Sequence, residues 1–247
     1  MKKVLTLFSI EMKLSLRGMD MLIFAIFMPI TIMAVLGVIY GNTPAYEGAD
    51  YTFVEQSFGA VSTISIAAGG VMGLPLVISD YRNKKVLKRL KVTPTSPALL
   101  LAVQFLVYMV YAIVSLVLVY LTGAIFFNLS ILGSWSAFLA AFLLVLVSLF
   151  SIGILVGGVA SNIKTADVIA SVLYFPMLLF SGATLPYEVM STSMQRIADF
   201  MPLTQGIKLI KAAVLGQSVE HIIVSLTSLI LLTVICTSLC LRYFKWE

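Results

Sequence analysis

The stretch DYRNKKVLKRLKVTPTSP, residues 80–97, carries Arg82, Lys84, Lys85, Lys88, Arg89 and Lys91 within ten positions. The sequence on either side is almost entirely apolar, and that contrast decides the fold. The chain has 247 residues, of which 60% are hydrophobic and 11% charged, with a mean hydropathy of +1.07. Soluble domains run near 45–50% apolar and about 25% charged. Both departures point the same way, to an integral membrane protein with no segment left over for a separate soluble domain.

Working outward from the basic stretch, six apolar runs are long enough, wholly or nearly, to cross a hydrocarbon core that needs about 20 residues of helix. They fall at about 21–40, 58–79, 98–127, 134–160, 166–185 and 221–241. Pro29, Pro75 and Pro176 lie inside spans, which lipid tolerates where neighbours satisfy the freed carbonyls. Lys and Arg are retained on the cytoplasmic side of membranes. With both termini cytoplasmic, the inner side holds Lys2, Lys3, Lys13, Arg17, the six cations of the basic stretch, Lys164, Arg242 and Lys245. The outer side then holds only Arg196, Lys208 and Lys211, while Glu47, Asp50 and Glu55 fall in an outer loop without a cation. The same bias accounts for the net charge of +5 without invoking nucleic acid.

The basic stretch is therefore a cytoplasmic loop. On charge alone it could do no more than hold topology and touch anionic lipid headgroups. Its internal pattern says more. Val86, Leu87 and Leu90 form a small apolar patch at helical spacing, ringed by cations. Pro94 ends that pattern, and Ser96-Pro97 reads as the cap and first residue of the third span. A turn or two of helix held between two spans suits docking on a partner.

Two further segments are amphipathic. In residues 1–19, Lys2, Thr6, Ser9, Lys13 and Arg17 share one helical stripe, with Leu5, Phe8, Met12 and Leu16 roughly opposite. This predicts an interfacial helix before the first span, although Ile10 and Glu11 sit on the wrong sides. Glu11, Lys13 and Arg17 also interrupt any signal-peptide core, so no cleavage is expected. In 186–220, Met190, Met194, Ile197 and Met201 recur at spacings of four, three and four, with Gln195, Arg196 and Asp199 on the other face. After Pro202, Ile207, Ile210 and Val214 repeat the scheme around Lys208 and Lys211. Two short helices follow, too polar to span. They either lie on the outer surface or dip into it as a re-entrant gate.

The spans carry little chemistry. None of the six apolar cores contains Asp, Glu, Lys or Arg, which argues against a proton relay or a charged ion path. No G-x-x-x-x-G-K-[ST] phosphate loop is present; GILVGGVASN at 153–162 lacks the lysine. Gly153 with Gly157, and Gly69 with Gly73, are small-residue pairs that allow close helix packing, within one chain or between two. His221 is the lone histidine, so no catalytic or metal constellation is legible; Cys236 and Cys240 read as small hydrophobes on one helix face. The chain is expected not to be an enzyme and to bind no cofactor or metal of its own.

KRLKVTPTSP at 88–97 resembles the cytoplasmic loop of ABC-2 type permeases, the membrane subunits of ATP-driven exporters. LPYEVMSTSMQRIADFMPLTQGIKLIKAAVLG at 185–216 is similar to that family's external segment before the last span, and is the more specific of the two. The resemblance extends to the whole layout and implies an all-α integral membrane fold: interfacial helix, six spans, a coupling helix in loop 80–97, and an external amphipathic pair between spans five and six. It implies a permease homodimer in the plasma membrane on two copies of an ABC ATP-binding subunit, which would bind ATP-Mg. It further implies that Leu87, Lys88, Arg89 and Leu90 match the coupling motif, with Arg82, Lys84 and Lys85 on the same docking surface and Pro94 as the proline that follows. Where family members often show glutamates and a Gly-Thr pair, Tyr81, Asn83 and Lys85-Val86 stand here, and Ser191 replaces a common proline. A docking surface this basic calls for an acidic groove on the partner. Tyr174, Phe175, Met177 and Phe180 around Pro176 are candidates for the path of a small amphiphilic substrate: a drug, antibiotic, peptide or lipid-linked cargo. The other reading is a non-transporting membrane scaffold or immunity protein.

Overall fold

The computed structural model describes residues 2–86, 97–184, 187, 190–217 and 222–244. These are helical throughout apart from short connections and one isolated bridge between Pro44 and Thr52. A helix α1 (Lys2–Arg17) precedes α2, which runs from Met19 through a π turn at Ile23–Phe27 into Met28–Tyr40. Then come α3 (Phe53–Asn83), α4 (Pro97–Phe127), α5 (Trp135–Val159) and α6 (Ile163–Phe180). Two shorter helices, α7 (Thr192–Asp199) and α8 (Pro202–Leu215), lead to α9 (Ile222–Tyr243). Six of these helices, α2 to α6 and α9, are long and apolar enough to cross a membrane, as the hydropathy pattern predicts. The end of the bundle holding α1 and the α3–α4 and α5–α6 connections is called proximal below, and the opposite end distal.

The second span differs most from its predicted bounds. It covers 31 residues because both ends are built to extend it. At its start Thr52 Oγ1 accepts from the Glu55 amide (3.2 Å) while Glu55 Oε2 accepts from the Thr52 amide (2.8 Å), a reciprocal capping box. Glu55 Oε1 also accepts from the Ser130 hydroxyl (2.6 Å), tying the α4–α5 connection to the same cap. At its other end the helix runs past Arg82 before Lys85 takes a left-handed φ of 57° and turns the chain away. Glu55 and Arg82 are thereby drawn into the packed bundle.

Helix α3 is the axis of the molecule, with 83% of its span window buried; it packs on α2, α4, α5, α6 and α8. Two of its interior hydroxyls are satisfied locally, Ser62 donating to the Gly59 carbonyl (2.8 Å) and Thr63 to that of Ala60 (2.7 Å), while the buried Ser65 hydroxyl has no partner among the described residues. Midway, a π turn at Ala68–Gly73 precedes Pro75, just as the π turn in α2 precedes Pro29; each ends two residues before the proline. A proline lacks the amide that would close the preceding turn, and a widened turn is one way the helix absorbs that loss. The wide turn in α3 faces α5 at close range. A Cβ on Gly153 would run into the Gly70 carbonyl, and one on Gly157 would sit 2.8 Å from Ile78 Cβ. Gly153 and Gly157 thus serve packing within the chain, as does Gly69, set against Tyr108 of α4.

The outer ring is open. Only 22% of the span window of α2, 28% of α6 and 17% of α9 is buried. On α6, Val168, Val172, Phe175 and Leu179 form an exposed apolar stripe at spacings of four, three and four. A helix face of this kind must meet lipid or another protein surface.

Candidate coupling surface and substrate path

At the proximal end, α1 lies along α4 with Val4, Leu7, Phe8 and Met12 against the core. Its buried stripe is rotated from the predicted one: Leu5 (65% exposed) and Leu16 (46%) face outward. Glu11, which the amphipathic pattern places on the wrong side, is the reason. Its carboxylate is 7% exposed and Oε2 accepts from the Tyr81 hydroxyl of α3 and from the Gln104 amide of α4 (2.7 Å). Gln104 also donates to the Tyr81 oxygen (2.8 Å), and Tyr111 donates to the Ser15 hydroxyl (2.9 Å). A buried charge is retained only where hydrogen bonds replace its hydration, so this cluster locks α1 to both helices that flank the basic loop.

The second brace joins α3 to α5. Arg82 is expected on the docking surface; instead it is buried, and its guanidinium donates to the Gly158 carbonyl (3.0 Å) and to that of Ala160. These carbonyls belong to the last turn of α5 and its cap, which have no partner inside the helix. A forked guanidinium reaches two of them at once. Ser79 adds a long contact to Gly157 O at 3.5 Å. Arg82 thus acts on this chain's own backbone. Lys84 and Lys85 are exposed, Lys84 forming a surface ion pair with Asp80 (2.7 Å). Leu87, Lys88, Arg89, Leu90 and Pro94 lie outside the described residues.

At the distal end the amphipathic pair packs into the bundle. Helix α8 packs against α3, α5 and α9, burying Leu203, Ile207, Ile210 and Val214. Gly206 sits where a Cβ would be 2.6 Å from Val145 Cγ2, midway along α5, and Gly59 makes room for Ile210 and Lys211. The last carbonyls of α8 accept from the amides of Gly133 (2.8 Å, Val214 O) and Ser134 (3.2 Å, Ala213 O). The apolar stripe predicted for α7 is only partly kept, since Ala198 is buried and Ile197 is exposed. Asp199 closes the turn between the two helices. It pairs with Lys208 (2.6 Å) and accepts from the Tyr187 hydroxyl (2.9 Å), while Lys208 sits 4.4 Å above the Tyr187 ring. Burial, and then the bond to Asp199, push the Tyr187 phenol above its ordinary value. Gln205 bridges the turn to α9, donating to Asp199 O (2.6 Å) and accepting from Ser225 (2.7 Å).

The four candidate path residues do not share a face. Tyr174 (4% exposed) and Met177 (5%) point into the bundle, and the Tyr174 hydroxyl has no hydrogen-bond partner among the described residues. Phe175 (52% exposed) is on the outward stripe and Phe180 is partly buried near the distal end. The functional groups missed by sequence reasoning, Glu11, Tyr81, Gln104 and the inward Arg82, left one usable signal. Each is polar at a position that hydropathy assigns to an apolar face or a span end.

Six apolar helices long enough to cross a membrane, a braced amino-terminal helix and a packed helix pair before the last of the six define an all-helical multi-pass membrane protein. Residues 2–215 match the family ABC-2 type transporter, and the chain belongs to that family. It is similar to "Putative transport permease YvfS" of Bacillus subtilis (strain 168), 24% identical over 200 residues that cover 78% of this chain and 77% of the relative. It is also similar to Nodulation protein J of Neorhizobium galegae, 34% identical over 85 residues, about a third of each chain (34% and 32%). Nodulation protein J of Rhizobium leguminosarum bv. viciae shares 32% identity over 72 residues. The protein is thus a transport component of the membrane rather than a catalyst.

Proposed function

We infer that the chain is the permease subunit of an ABC exporter, forming the path for an amphiphilic substrate, with energy supplied by a separate ATP-binding subunit that binds ATP-Mg. Family membership supports this most directly. The loop following α3 is the docking element, with both termini cytoplasmic in the plasma membrane and the distal end outside. The observation that carries the reading is the double brace at the proximal end. Glu11 joins α1 to α3 and α4, and Arg82 joins α3 to α5, so the loop emerges from a block of four helices. A push on a loop so anchored moves spans rather than bending locally. Two permeases pair on two ATPases, with the α6 stripe of Val168, Val172, Phe175 and Leu179 available to meet the second copy. Tyr174 and Met177 then line the path from the inner face of α6, and the cargo is a drug, antibiotic, peptide or lipid-linked molecule.

The test is co-purification from native membrane of wild type beside a Lys88→Glu/Arg89→Glu variant, with ATP hydrolysis assayed on what is recovered. An ATP-hydrolysing subunit is expected with wild type and is lost or uncoupled in the variant. A folded, abundant wild type that brings down no ATPase would overturn the reading in favour of a scaffold or immunity protein.

A further inference from the structure

Behind the α7–α8 pair, between the first turns of α3 and the body of α8, is a cavity of about 70 Å³. Part of its polar lining is unspent. Thr204 is 1% exposed and its hydroxyl has no hydrogen-bond partner among the described residues. Gln56, 8% exposed, and Ser57 also line it, and neither side chain makes a hydrogen bond among the described residues. Buried polar groups are normally paired, and one that is not is usually waiting for water or a ligand. Here one such group, the Thr204 hydroxyl, shares a cavity with the Gln56 amide, the partly exposed Ser57 hydroxyl, the Tyr187 phenol and the ammonium groups of Lys208 and Lys211. Lys208 is shared with Asp199, and Lys211 is engaged elsewhere as well. No carboxylate is among the described lining residues. Thr204 lies in the first turn of the fourteen-residue α8, where the helix dipole favours negative charge.

The geometry points to a distal binding site for an oxyanion group, a phosphate, sulfate or carboxylate, held by the Thr204 and Ser57 hydroxyls, the Gln56 amide and the two lysines. The volume takes a few waters or one small oxyanion and leaves an attached chain outside the cavity. Charge-assisted bonds to such a group are shorter and stronger than those to neutral acceptors. The anion can come from a lipid or cargo headgroup, or from free solute. The site depends on no ATPase and is distinct from the coupling surface.

Binding of dihexanoyl phosphatidic acid and of inorganic phosphate to the full chain in neutral detergent tests this, with dihexanoylglycerol as the uncharged control. Wild type is expected to bind the phosphatidic acid saturably and the control not at all. Thr204→Val and Lys211→Gln should each weaken binding about tenfold, the loss expected for one hydrogen bond to a charged group, and Thr204→Ser should restore it. Competition by inorganic phosphate assigns the site to the anion itself; its absence assigns the site to a headgroup with its chains. Ser57→Ala, at a partly exposed position, replaces either variant that fails to fold. No saturable binding by wild type, or affinity unchanged in the folded variants, overturns the proposal.

Discussion

At the scale of single residues, the features that organise the proximal end are two buried charges. Arg82 closes the carbonyl end of α5 from a neighbouring helix, and Glu11 collects donors from two others. Losing a partner leaves the remaining buried groups unsatisfied, at about 1–3 kcal/mol each. Arg82→Met should therefore lower the thermal unfolding midpoint in detergent, corresponding to a loss of about 1–3 kcal/mol. Arg82→Lys should recover only part of it, because an ammonium lacks the fork that spans both carbonyls. Equal midpoints for Arg82→Met and wild type would remove Arg82 as a brace. Neither charge could be interpreted from the sequence. Helical periodicity flags Glu11 as misplaced but does not say that Tyr81 and Gln104, 70 and 93 residues away, will meet it. Arg82 reads naturally as one more cation in a basic loop. The run of positive charge hides a member whose helix continues far enough to turn it inward.

At the scale of elements, hydropathy suffices to find the spans, because a helix in lipid must be apolar along most of its length. It does less well at the ends. The second span was expected at 58–79, yet a capping box starts it at Phe53 and a left-handed Lys85 follows its end at Asn83. The depth of α8 was equally hidden. Amphipathic period shows which face is buried but not what buries it, and Gly206 against Val145 is a tertiary fit. The glycine pairs were legible as packing devices, with their partners left open. Gly153 gives the sharpest test of the α3–α5 contact. Gly153→Ala places a methyl group on the Gly70 carbonyl at the π turn, and overpacking of this kind costs about 1–3 kcal/mol. Gly18→Ala, whose nearest neighbour would be Ser15 O at 3.5 Å, should be close to neutral. Thermal unfolding of the two variants beside wild type checks the pair. Similar midpoints for both would mean that the α3–α5 contact yields to the extra methyl group.

At the scale of the molecule, α3 runs through the centre from the distal pair of helices α7 and α8 to the root of the basic loop. It packs on α8 at one end and is braced to α1, α4 and α5 at the other. Motion at the loop therefore has a continuous packed route to the turn between α7 and α8 at Asp199–Met201. Phe200, 89% exposed, marks that turn without contributing to the packing. The most direct measurement places a spin label at Phe200→Cys, with Cys236 and Cys240 replaced by serine, in the permease bound to its ATP-binding partner. The distance between labels on the two copies of the proposed permease pair is then recorded without nucleotide and after trapping with ATP and vanadate. The account predicts a defined distance that shifts on trapping, and no shift when Lys88→Glu/Arg89→Glu is introduced. An unchanged distance in a wild-type complex that hydrolyses ATP would contradict it.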